Sequence, residues 1–569
     1  MEDIKNYNLN SGKIKTGIKG LDLLLHDGLV LPESGDGLIL LIKGKPGTGK
    51  TTLALKIANN VSQEIYNNEL NKQNPEENNW SFFTCEQRKE DIAAKCMDFG
   101  YEIDQSHIFD YDIASDNSYS SDPRYASSQT TLTWANNILL SRFVDDSKVD
   151  KVKRQNVIVI DGLNMMGSEE RDSINMSWFI STLRKYSVLS ILVYEPLEGE
   201  PSQIDSMVDM ILQLKGEEFN GPPLYYLNKI SITKSRFQNY GLGWHQYKIF
   251  NNKGLIIFPS IHFYIHKSNF FADELKNSKK NWYKCICKSQ DDQKHYLMKN
   301  NQSIISKLLD NKQTYGSFTV LLGPRKTCKT LLSIDFLKDG SRNKENGLLV
   351  SLIDNRETII NNILHTFSSD TDEEKMNACE RNYLFHFRPG CVTSNEFFHY
   401  LNEQMNNRPK RFVLWDLPQV DFSYPLISND SMFFPALIDY LKSSNSGSDE
   451  SWQNGRSETA SVIIGTFSCK LAKSAFTMAD NVILLLRDKY ENKECIYAYV
   501  DRIEGQPGVH YLYRITLNDN QAVTEVGDDF SIGNDIFEDI KEISKTDINF
   551  AEKLSHRFER IIYSIENHK

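Results

Sequence analysis

The sequence predicts an α/β protein with two tandem domains, each a mainly parallel β-sheet flanked by helices. The first observation is that apolar runs such as LILLIK (38–43) precede helical runs such as LALKIANNV (53–61), an alternation typical of parallel strands joined by crossover helices. The second is that the same order of elements returns in the second half of the 569 residues. Such a repeat indicates a duplicated domain.

Composition limits the class of protein. Charged residues make up 25% of the chain and hydrophobic residues 40%, as in ordinary globular proteins. No run approaches the roughly 18 uncharged apolar residues of a membrane span, and the first ten residues lack the apolar core of a signal peptide. The nine cysteines are scattered singly apart from Cys285 and Cys287, which favours reduced thiols. We therefore expect a cytoplasmic protein without a membrane partner.

The formal net charge of −11 bears on the choice of partner. An acidic chain disfavours a surface that wraps nucleic acid, although a local basic groove remains open as an alternative. Nucleic acid is therefore the less favoured partner.

Breaks in the α/β pattern divide the chain into a tail (1–15), a first domain (16–266), a second domain (267–529) and a C-terminal helical tail (530–569). Apolar residues in the last segment recur at spacings of three and four, which places them on one helix face. They are Phe550, Leu554, Phe558, Ile561, Ile562 and Ile565. This face either folds back on the second domain or docks a second protein.

The stretch GKPGTGKTT (44–52) lies between an apolar run and a helical run. Strand, glycine-rich loop and helix in this order are typical of a phosphate-binding P-loop. Its glycines let the backbone approach phosphate, Lys50 neutralises the β and γ oxygens, and Thr51 offers a hydroxyl to magnesium. The residues predicted to bind a nucleoside triphosphate are Gly44, Gly47, Thr48, Gly49, Lys50, Thr51 and Thr52.

Three acidic residues follow other predicted strands. Asp161 closes the run NVIVID, where a carboxylate can hold magnesium together with Thr51. Glu86 follows WSFFTC and is the predicted general base for the attacking water. Glu195 follows VLSILVY and either contacts the γ-phosphate or pairs with a lysine.

Three segments resemble the KaiC-type ATPases of the RecA superfamily. TGIKGLD (16–22) is similar to the T-G-[IV]-x-G-[LF]-D element of that family, and TCEQRKEDI (84–92) to its T-x-E-E-x-x-x-D-[IL] segment. ITKSRFQNYGLGWH (232–245) is similar to its K-x-R hairpin. The resemblance implies two RecA-like domains, ATP as the nucleotide and a six-membered ring. Gln87 departs from the second glutamate of the family's pair, which implies slow or altered turnover.

The same resemblance implies a role for two cations of the hairpin. In the family the lysine and arginine of this hairpin reach the nucleotide of the neighbouring subunit, and here they are Lys234 and Arg236. Cations supplied in trans would neutralise charge on the transferred phosphoryl group and make hydrolysis depend on assembly. The alternative is a solvated edge strand.

The second half carries a drifted P-loop, GPRKTCKT (323–330), in which Cys328 replaces the second glycine. Its context repeats the first half, because the segments 303–337, 345–364, 410–419 and 461–488 parallel four elements in one order. Lys329 and Thr330 survive, as does Asp416 at the end of KRFVLWD. Phosphate and magnesium could therefore still be held.

The positions of the predicted base and of the hairpin cations have changed more in this half than the P-loop has. In place of the base and its neighbour stand Asp354 and Asn355, each shorter by a methylene. The hairpin YVDRIEGQPGVHYLYRI (499–515) keeps Arg502 and has Val500 or Asp501 where a lysine is expected. We interpret this domain as a pseudo-ATPase, with a slow but active site as the alternative.

The predicted function is a magnesium-dependent ATPase that acts as a regulatory, nucleotide-dependent oligomeric switch, most simply a homohexamer, for a partner protein bound by the tail or a ring surface. Two alternatives remain. A recombinase-like or DNA-dependent ATPase would show turnover stimulated by single strands and salt-sensitive binding. An ATP-binding structural scaffold would assemble regardless of Glu86.

Overall fold

The chain divides into two compact units, Met1–Phe263 and Tyr264–Lys569. The computed structural model describes residues 13–69, 80–101, 103, 105–110, 155–163, 173–196, 204–219, 225–251, 253–264, 297–298, 301–323, 327–352, 357, 371–386, 392–405, 407, 409–415, 425–428, 430–443, 459–465, 475–490, 493–506, 511–517, 523–526 and 530–531. Within these residues no helix has the length and apolar character needed to cross a membrane. The predicted C-terminal tail lies almost entirely outside them, and so do the six apolar residues of its helix face.

The first unit alternates strands and helices as its sequence predicts. Its strands are β1 (Lys13–Ile14), β2 (Leu29–Val30), β3 (Leu38–Gly44), β4 (Trp80–Thr84), β5 (Ile108–Asp110), β6 (Gln155–Asp161), β7 (Ser187–Tyr194), β8 (Met210–Phe219), β9 (Tyr225–Ser235), β10 (His245–Phe250) and β11 (Gly254–Phe258). Its helices are α1 (Lys19–Leu24), α2 (Lys50–Glu69), α3 (Lys89–Phe99), α4 (Ser173–Tyr186) and α5 (Ile204–Met207).

Nine of these strands form one sheet in the order β11-β10-β9-β8-β3-β7-β6-β4-β5. The strands from β5 to β8 along this order are parallel, whereas β8 to β11 are antiparallel. Parallel neighbours present their carboxyl ends at one edge of the sheet, where ligands bind in open α/β folds. The ends of β3, β4, β6 and β7 therefore gather the predicted site residues.

Burial on both faces of β3 explains the layered architecture. Leu40 and Ile42 pack into one apolar cluster with Leu53 and Ile57 of α2. The alternate residue Leu41 packs into a second cluster, together with residues of α4. Successive side chains of a strand point to opposite faces, so a continuous apolar run needs a helix layer on each side.

The segment TGIKGLD folds into a turn that docks on the edge of the sheet. The backbone amide and hydroxyl of Thr16 both donate to Asp22 Oδ1, at 2.8 and 2.7 Å. Asn60 of α2 donates to the Thr16 carbonyl at 3.0 Å. A Cβ on Gly20 would overlap the carbonyl of Ile257 in β11. The glycine is therefore required by close backbone packing.

The second unit repeats this plan. Its strands are β12 (Phe318–Leu322), β13 (Gly347–Ser351), β14 (Asn382–His386), β15 (Arg411–Trp415), β16 (Ala460–Gly465), β17 (Asn481–Tyr490), β18 (Lys493–Arg502), β19 (Tyr511–Leu517), β20 (Val523–Val526) and β21 (Phe530–Ser531). Its helices are α6 (Ile304–Leu308), α7 (Lys329–Arg342), α8 (Asp372–Arg381), α9 (Ser394–Met405), α10 (Pro425–Ser428) and α11 (Phe433–Ser443).

The order β14-β13-β15-β16-β12-β17-β18-β19-β20 matches that of the first sheet strand for strand, and β21 pairs with β19. Here too the first six strands are parallel and the remainder antiparallel. The predicted fold class, two tandem RecA-like α/β domains, is confirmed.

A pair of hydrogen bonds conserved between the units fixes their correspondence. In the first unit Asp209 accepts from the Ile39 amide at 3.0 Å and donates its own amide to the Ile39 carbonyl at 3.0 Å. In the second unit Asp480 makes the same two bonds with Phe318, each at 2.9 Å. Equivalent positions can thus be counted outward from these pairs.

The second unit contains a buried ionic network around Arg411 of β15. Its guanidinium contacts Asp339 at 3.0 Å and Glu345 at 2.7 Å, and the arginine side chain is 1% exposed. It also donates to the Phe336 carbonyl at 2.5 Å. A buried cation is tolerated only when its donors are satisfied. The network holds the carboxyl end of α7, the P-loop helix, against the sheet.

Candidate functional site

The predicted P-loop of the first unit adopts a backbone that only glycine accommodates easily. Gly47 and Gly49 have φ of 76° and 79°, the left-handed region in which side chains are strained. A Cβ on Gly44 would lie 2.7 Å from the carbonyl oxygen of Leu214. The three glycines therefore form a compact turn between β3 and α2.

The hairpin formed by β10 and β11 packs against this loop. The buried Tyr247 hydroxyl donates to the Thr48 carbonyl, and the Thr48 hydroxyl donates to the Lys45 carbonyl at 2.7 Å. The side chain of Ile249 packs against Gly49. Sequence reasoning missed Tyr247, because no local motif marks a contact made across 199 positions.

The P-loop lysine contacts the loop itself and the end of β7. Lys50 Nζ donates to the Lys45 carbonyl at 3.1 Å and lies 3.8 Å from Glu195 Oε2. The structure thus brings Lys50 and Glu195 together, which corresponds to the lysine-pairing alternative for Glu195. Contact of Glu195 with a γ-phosphate stays a prediction.

Thr51 and Asp161 meet beside the loop. The Thr51 hydroxyl donates to Asp161 Oδ2 at 3.0 Å. Asp161 is 1% exposed, and its Oδ1 has no hydrogen-bond partner. Burial raises the pKa of Asp161 to about 6. The hydrogen bond from Thr51 opposes this rise, and the negative charge of Glu86 adds to it.

A buried carboxylate oxygen without a partner fits a cation site. Hydroxyl and carboxylate oxygens are ligands that magnesium prefers, and this metal commonly takes only one or two carboxylates together with substrate phosphates. No cluster of three or more His, Cys, Asp or Glu suited to a metal occurs in the part of the chain that the structure describes. The residues present therefore fit magnesium bound together with a nucleotide.

Glu86 lies beside the turn that follows Asp161. The Cys85 amide donates to the Asp161 carbonyl at 3.1 Å, which ties the two strand ends together. Gly162 has φ of 92°, and a Cβ there would lie 3.0 Å from Glu86 Cγ. The Thr84 hydroxyl accepts from the Glu86 amide at 3.3 Å. The Glu86 side chain is exposed at the same edge as the P-loop.

Lys234 and Arg236 contact the 204–209 segment of their own unit. Lys234 Nζ donates to the carbonyls of Asp205 and Ser206 at 2.5 and 3.2 Å. Arg236 donates to the Ser206 carbonyl and to Asp209 Oδ1, the latter at 3.3 Å, and its side chain is 42% exposed. The structure therefore keeps Arg236 at the surface.

The described ends of the drifted P-loop, Gly323 and 327–328, have counterparts in the first P-loop. A Cβ on Gly323 would lie 2.5 Å from the Leu485 carbonyl oxygen, as one on Gly44 would approach Leu214. Cys328 stands where Gly49 does and has φ of 59°. A side chain in this left-handed region costs on the order of 1–3 kcal/mol. The backbone is therefore strained at Cys328, where the loop meets α7.

Lys329 is turned into this loop. Its Nζ donates to the Gly323 carbonyl at 2.8 Å and to the Thr327 hydroxyl at 3.1 Å, and the residue is 9% exposed. Thr330 follows it in the first turn of α7. Asp416, Asp354 and Asn355 lie outside the described residues, so their predicted roles stay predictions.

The second-unit hairpin differs from its prediction. The prediction that Val500 or Asp501 stands at the position of Lys234 is wrong. Arg502 pairs with the start of β17 beyond a β-bulge, as Lys234 pairs with the start of β8 beyond an equivalent bulge. Arg502 is therefore the counterpart of Lys234 and not of Arg236, so matching the two arginines by residue type misplaced the cation.

Arg502 also makes the contacts of its counterpart. Its Nη1 donates to the Ala479 carbonyl at 2.9 Å and lies within 3.4 Å of two preceding carbonyls in the same turn. Two residues further, Glu504 stands at the position of Arg236. Its carboxylate accepts from the Thr314 hydroxyl at 2.6 Å, and its amide donates to Asn481 at 2.9 Å. The second unit thus presents a carboxylate in place of the guanidinium.

His245 of β10 is buried and structural. Its Nδ1 accepts from the Ser260 amide at 3.0 Å, and its ring packs edge-on against Phe263. Desolvation lowers the pKa of His245 to about 4. Between pH 4 and 6.5 the unfolded chain binds a proton that the folded chain does not, so acidification through this window destabilises the first unit by about 3 kcal/mol.

We expect His245→Gln to flatten the pH dependence of unfolding in this window. Urea unfolding of the chain at pH 4.5, 5.5 and 6.5 measures the slope, with His262→Gln at an exposed histidine as control. Equal slopes for the two variants would show that His245 does not carry the proton linkage.

Comparison with known proteins agrees with the geometry. Residues 14–262 match the family model described as ATPase: KaiC. No curated protein matches the chain. The matched segment is less than half of the 569 residues and coincides with the unit that holds the intact P-loop. Over residues 14–262 the first unit is therefore similar to the KaiC ATPase family.

Proposed function

We propose that the chain is a magnesium-dependent ATPase in which the first unit hydrolyses ATP and the second serves as a non-catalytic scaffold or sensor. The observation that carries this proposal is the Thr51–Asp161 pair beside the P-loop, with Asp161 Oδ1 buried and unpartnered. Nucleotide triphosphate sites need this combination of amide-lined loop, hydroxyl and carboxylate.

Binding begins with the loop from 44 to 51. Its backbone amides and the amino end of α2 would hold the phosphates, and Lys50 would exchange its contacts with the Lys45 carbonyl and Glu195 for phosphate oxygens. Glu195 would then be released from Lys50 when a triphosphate binds. This exchange gives the end of β7 a way to respond to the nucleotide.

Magnesium, held by Thr51 and Asp161, would neutralise charge on the phosphates. We propose that Glu86 accepts a proton from the attacking water. Its side chain is exposed and follows β4, which is parallel to the neighbouring β6. Its neighbour Gln87 carries no charge, so a single carboxylate serves the water. We infer slow turnover from this arrangement.

Assembly completes the site in this proposal. Arg236 is surface-exposed and contacts Asp209 and Ser206 of its own unit. A guanidinium in this position is available to the nucleotide of a neighbouring subunit, where it would stabilise charge that develops in the transition state. The ring implied by the family, a homohexamer, would place it there. Hydrolysis and assembly are then coupled, which is what a nucleotide-dependent switch for a partner protein requires.

The second unit lacks this machinery in three respects. Cys328 strains its loop, and Glu504 stands at the position of Arg236. Asp354 and Asn355, in place of Glu86 and Gln87, are the third difference. A carboxylate near a neighbour's phosphates would repel the charge that an arginine neutralises. The unit is therefore proposed to be a pseudo-ATPase.

The experiment that tests the proposed site measures ATP affinity with and without magnesium. Removing magnesium with EDTA is expected to weaken ATP binding to the natural chain. In Thr51→Ala and Asp161→Asn this magnesium-dependent gain should shrink, because each change removes one predicted ligand. Thr51→Ser keeps the hydroxyl and serves as the matched control. A full magnesium effect in Asp161→Asn would contradict the site.

A further inference from the structure

A basic cavity lies in the second unit, away from its P-loop. It has a volume of about 240 Å³ and lies between the last turn of α7 and the helix α8. Four basic side chains line it, from Lys338, Arg342, Lys344 and Arg381, against the single carboxylate of Glu373. The helix α7 has 14 residues, so about 20 Å of helix separates this end from the P-loop lysine.

The charge of the cavity favours an anion. The lining residues carry four cations and one carboxylate, and the buried Asp335 near Lys338 and Arg342 adds a second acidic group. Two positive charges then remain, in a chain whose formal net charge is −11. The carboxyl ends of α7 and α8 oppose this, but each helix end contributes only roughly half a negative charge. The lining therefore stays positive. Lys338 is 8% exposed, and the carboxyl group of Asp335 lies near it.

The backbone at Lys344 supplies an independent observation. The amides of Lys344 and Glu345 donate to the carbonyls of Ser341 and Gly340, at 3.1 and 2.9 Å, the pattern of a Schellman cap. The residue at this point of the cap is usually glycine, because its φ is positive, and Lys344 has φ of 62°. Arg381 donates to the Lys344 carbonyl at 3.1 Å. Lys344 thus occupies a strained backbone position. We take this strain as a sign that the positive charge of its side chain has a function.

The geometry points to a binding site for a compact phosphate-bearing anion, such as pyrophosphate, formed by Arg342, Lys344 and Arg381 with the buried Lys338. The volume is below the roughly 300–1,000 Å³ of pockets for larger ligands, so a small anion fits better than a whole nucleotide. Guanidinium groups suit phosphate because they donate two parallel hydrogen bonds. Occupancy of this site would tie α7 to α8 and so act on the P-loop helix from its far end.

Pyrophosphate binding to the full-length chain, measured by isothermal titration calorimetry, tests this site. The background carries Lys50→Ala and Lys329→Ala, so that neither P-loop lysine contributes. Pyrophosphate is expected to bind, and adding Arg342→Gln with Arg381→Gln should weaken the affinity at least about tenfold. Lys375→Gln, on α8 but outside the cavity lining, should leave it unchanged. No binding in the background, or equal binding by the paired arginine variant, would overturn the site.

Lys344→Gly separates binding from helix capping. Glycine relieves the strained backbone, so the melting temperature should rise by about 2–4 °C, while pyrophosphate affinity should fall. If Lys344 contributed only to the helix cap, the Lys344→Gly variant would bind pyrophosphate as tightly as the background chain does. That result would also overturn the proposal.

Discussion

Replacing Arg236 by alanine is expected to lower ATP turnover by about 1,000-fold or more, the effect of losing an arginine that stabilises phosphoryl transfer from a neighbouring subunit. The side chain is 42% exposed, and Asp209 keeps a two-pronged contact with Arg184 when Arg236 is removed. The fold should therefore survive. Phosphate release at saturating ATP measures the loss, and Glu504→Ala at the equivalent position of the second unit is the matched control, with turnover unchanged.

Mixing variants shows whether Arg236 acts on its own nucleotide or on a neighbour's. A Lys50→Ala chain cannot neutralise its bound phosphates but still carries Arg236, whereas an Arg236→Ala chain keeps an intact P-loop. If the arginine acts in trans, mixed assemblies recover part of the activity that neither chain has alone. Failure to recover activity, with mixed assemblies demonstrated by cross-linking, would contradict the trans role.

Glu86→Gln is expected to lower the turnover number by about 10²–10⁴-fold, the usual contribution of a general base. ATP affinity should change little, because the described contacts of Glu86 are with the strand ends and not with the P-loop. Phosphate release and ATP binding measured on the same preparation separate the two effects.

Two further variants identify the base. Gln87→Glu adds a second carboxylate beside the first and is expected to raise turnover. Glu195→Gln removes a carboxylate 3.8 Å from Lys50 and should alter the response to nucleotide without abolishing hydrolysis. Activity that survives Glu86→Gln but not Glu195→Gln would assign the base to Glu195.

Much of the fold was predictable because its signals are local. The continuous apolar run of β3 requires burial on both faces, and the structure places Leu40 and Leu41 in different apolar clusters. The repeat of elements predicted a second sheet of the same order. The P-loop motif located Thr51, and the end of an apolar strand located Asp161. Parallel pairing then brings these two residues to 3.0 Å.

What sequence could not predict depends on contacts between distant segments. The bond from Tyr247 to the Thr48 carbonyl joins positions 199 apart, and a tyrosine in an alternating strand carries no sign of it. The pairing of Arg502 with Val482 gives Arg502 the lysine position, whereas residue type alone matches it to Arg236. Only this register shows that Glu504 stands in the second unit where Arg236 stands in the first.

The measurement that tests the central claim most directly is ATP turnover by the chain and by Lys50→Ala and Lys329→Ala, at concentrations that allow assembly. Both lysines open a P-loop helix, but only the first lies beside a described hydroxyl–carboxylate pair. Lys50→Ala is expected to abolish turnover and Lys329→Ala to leave it standing. Loss of turnover in Lys329→Ala, with activity retained in Lys50→Ala, would show that the second unit is the catalytic one.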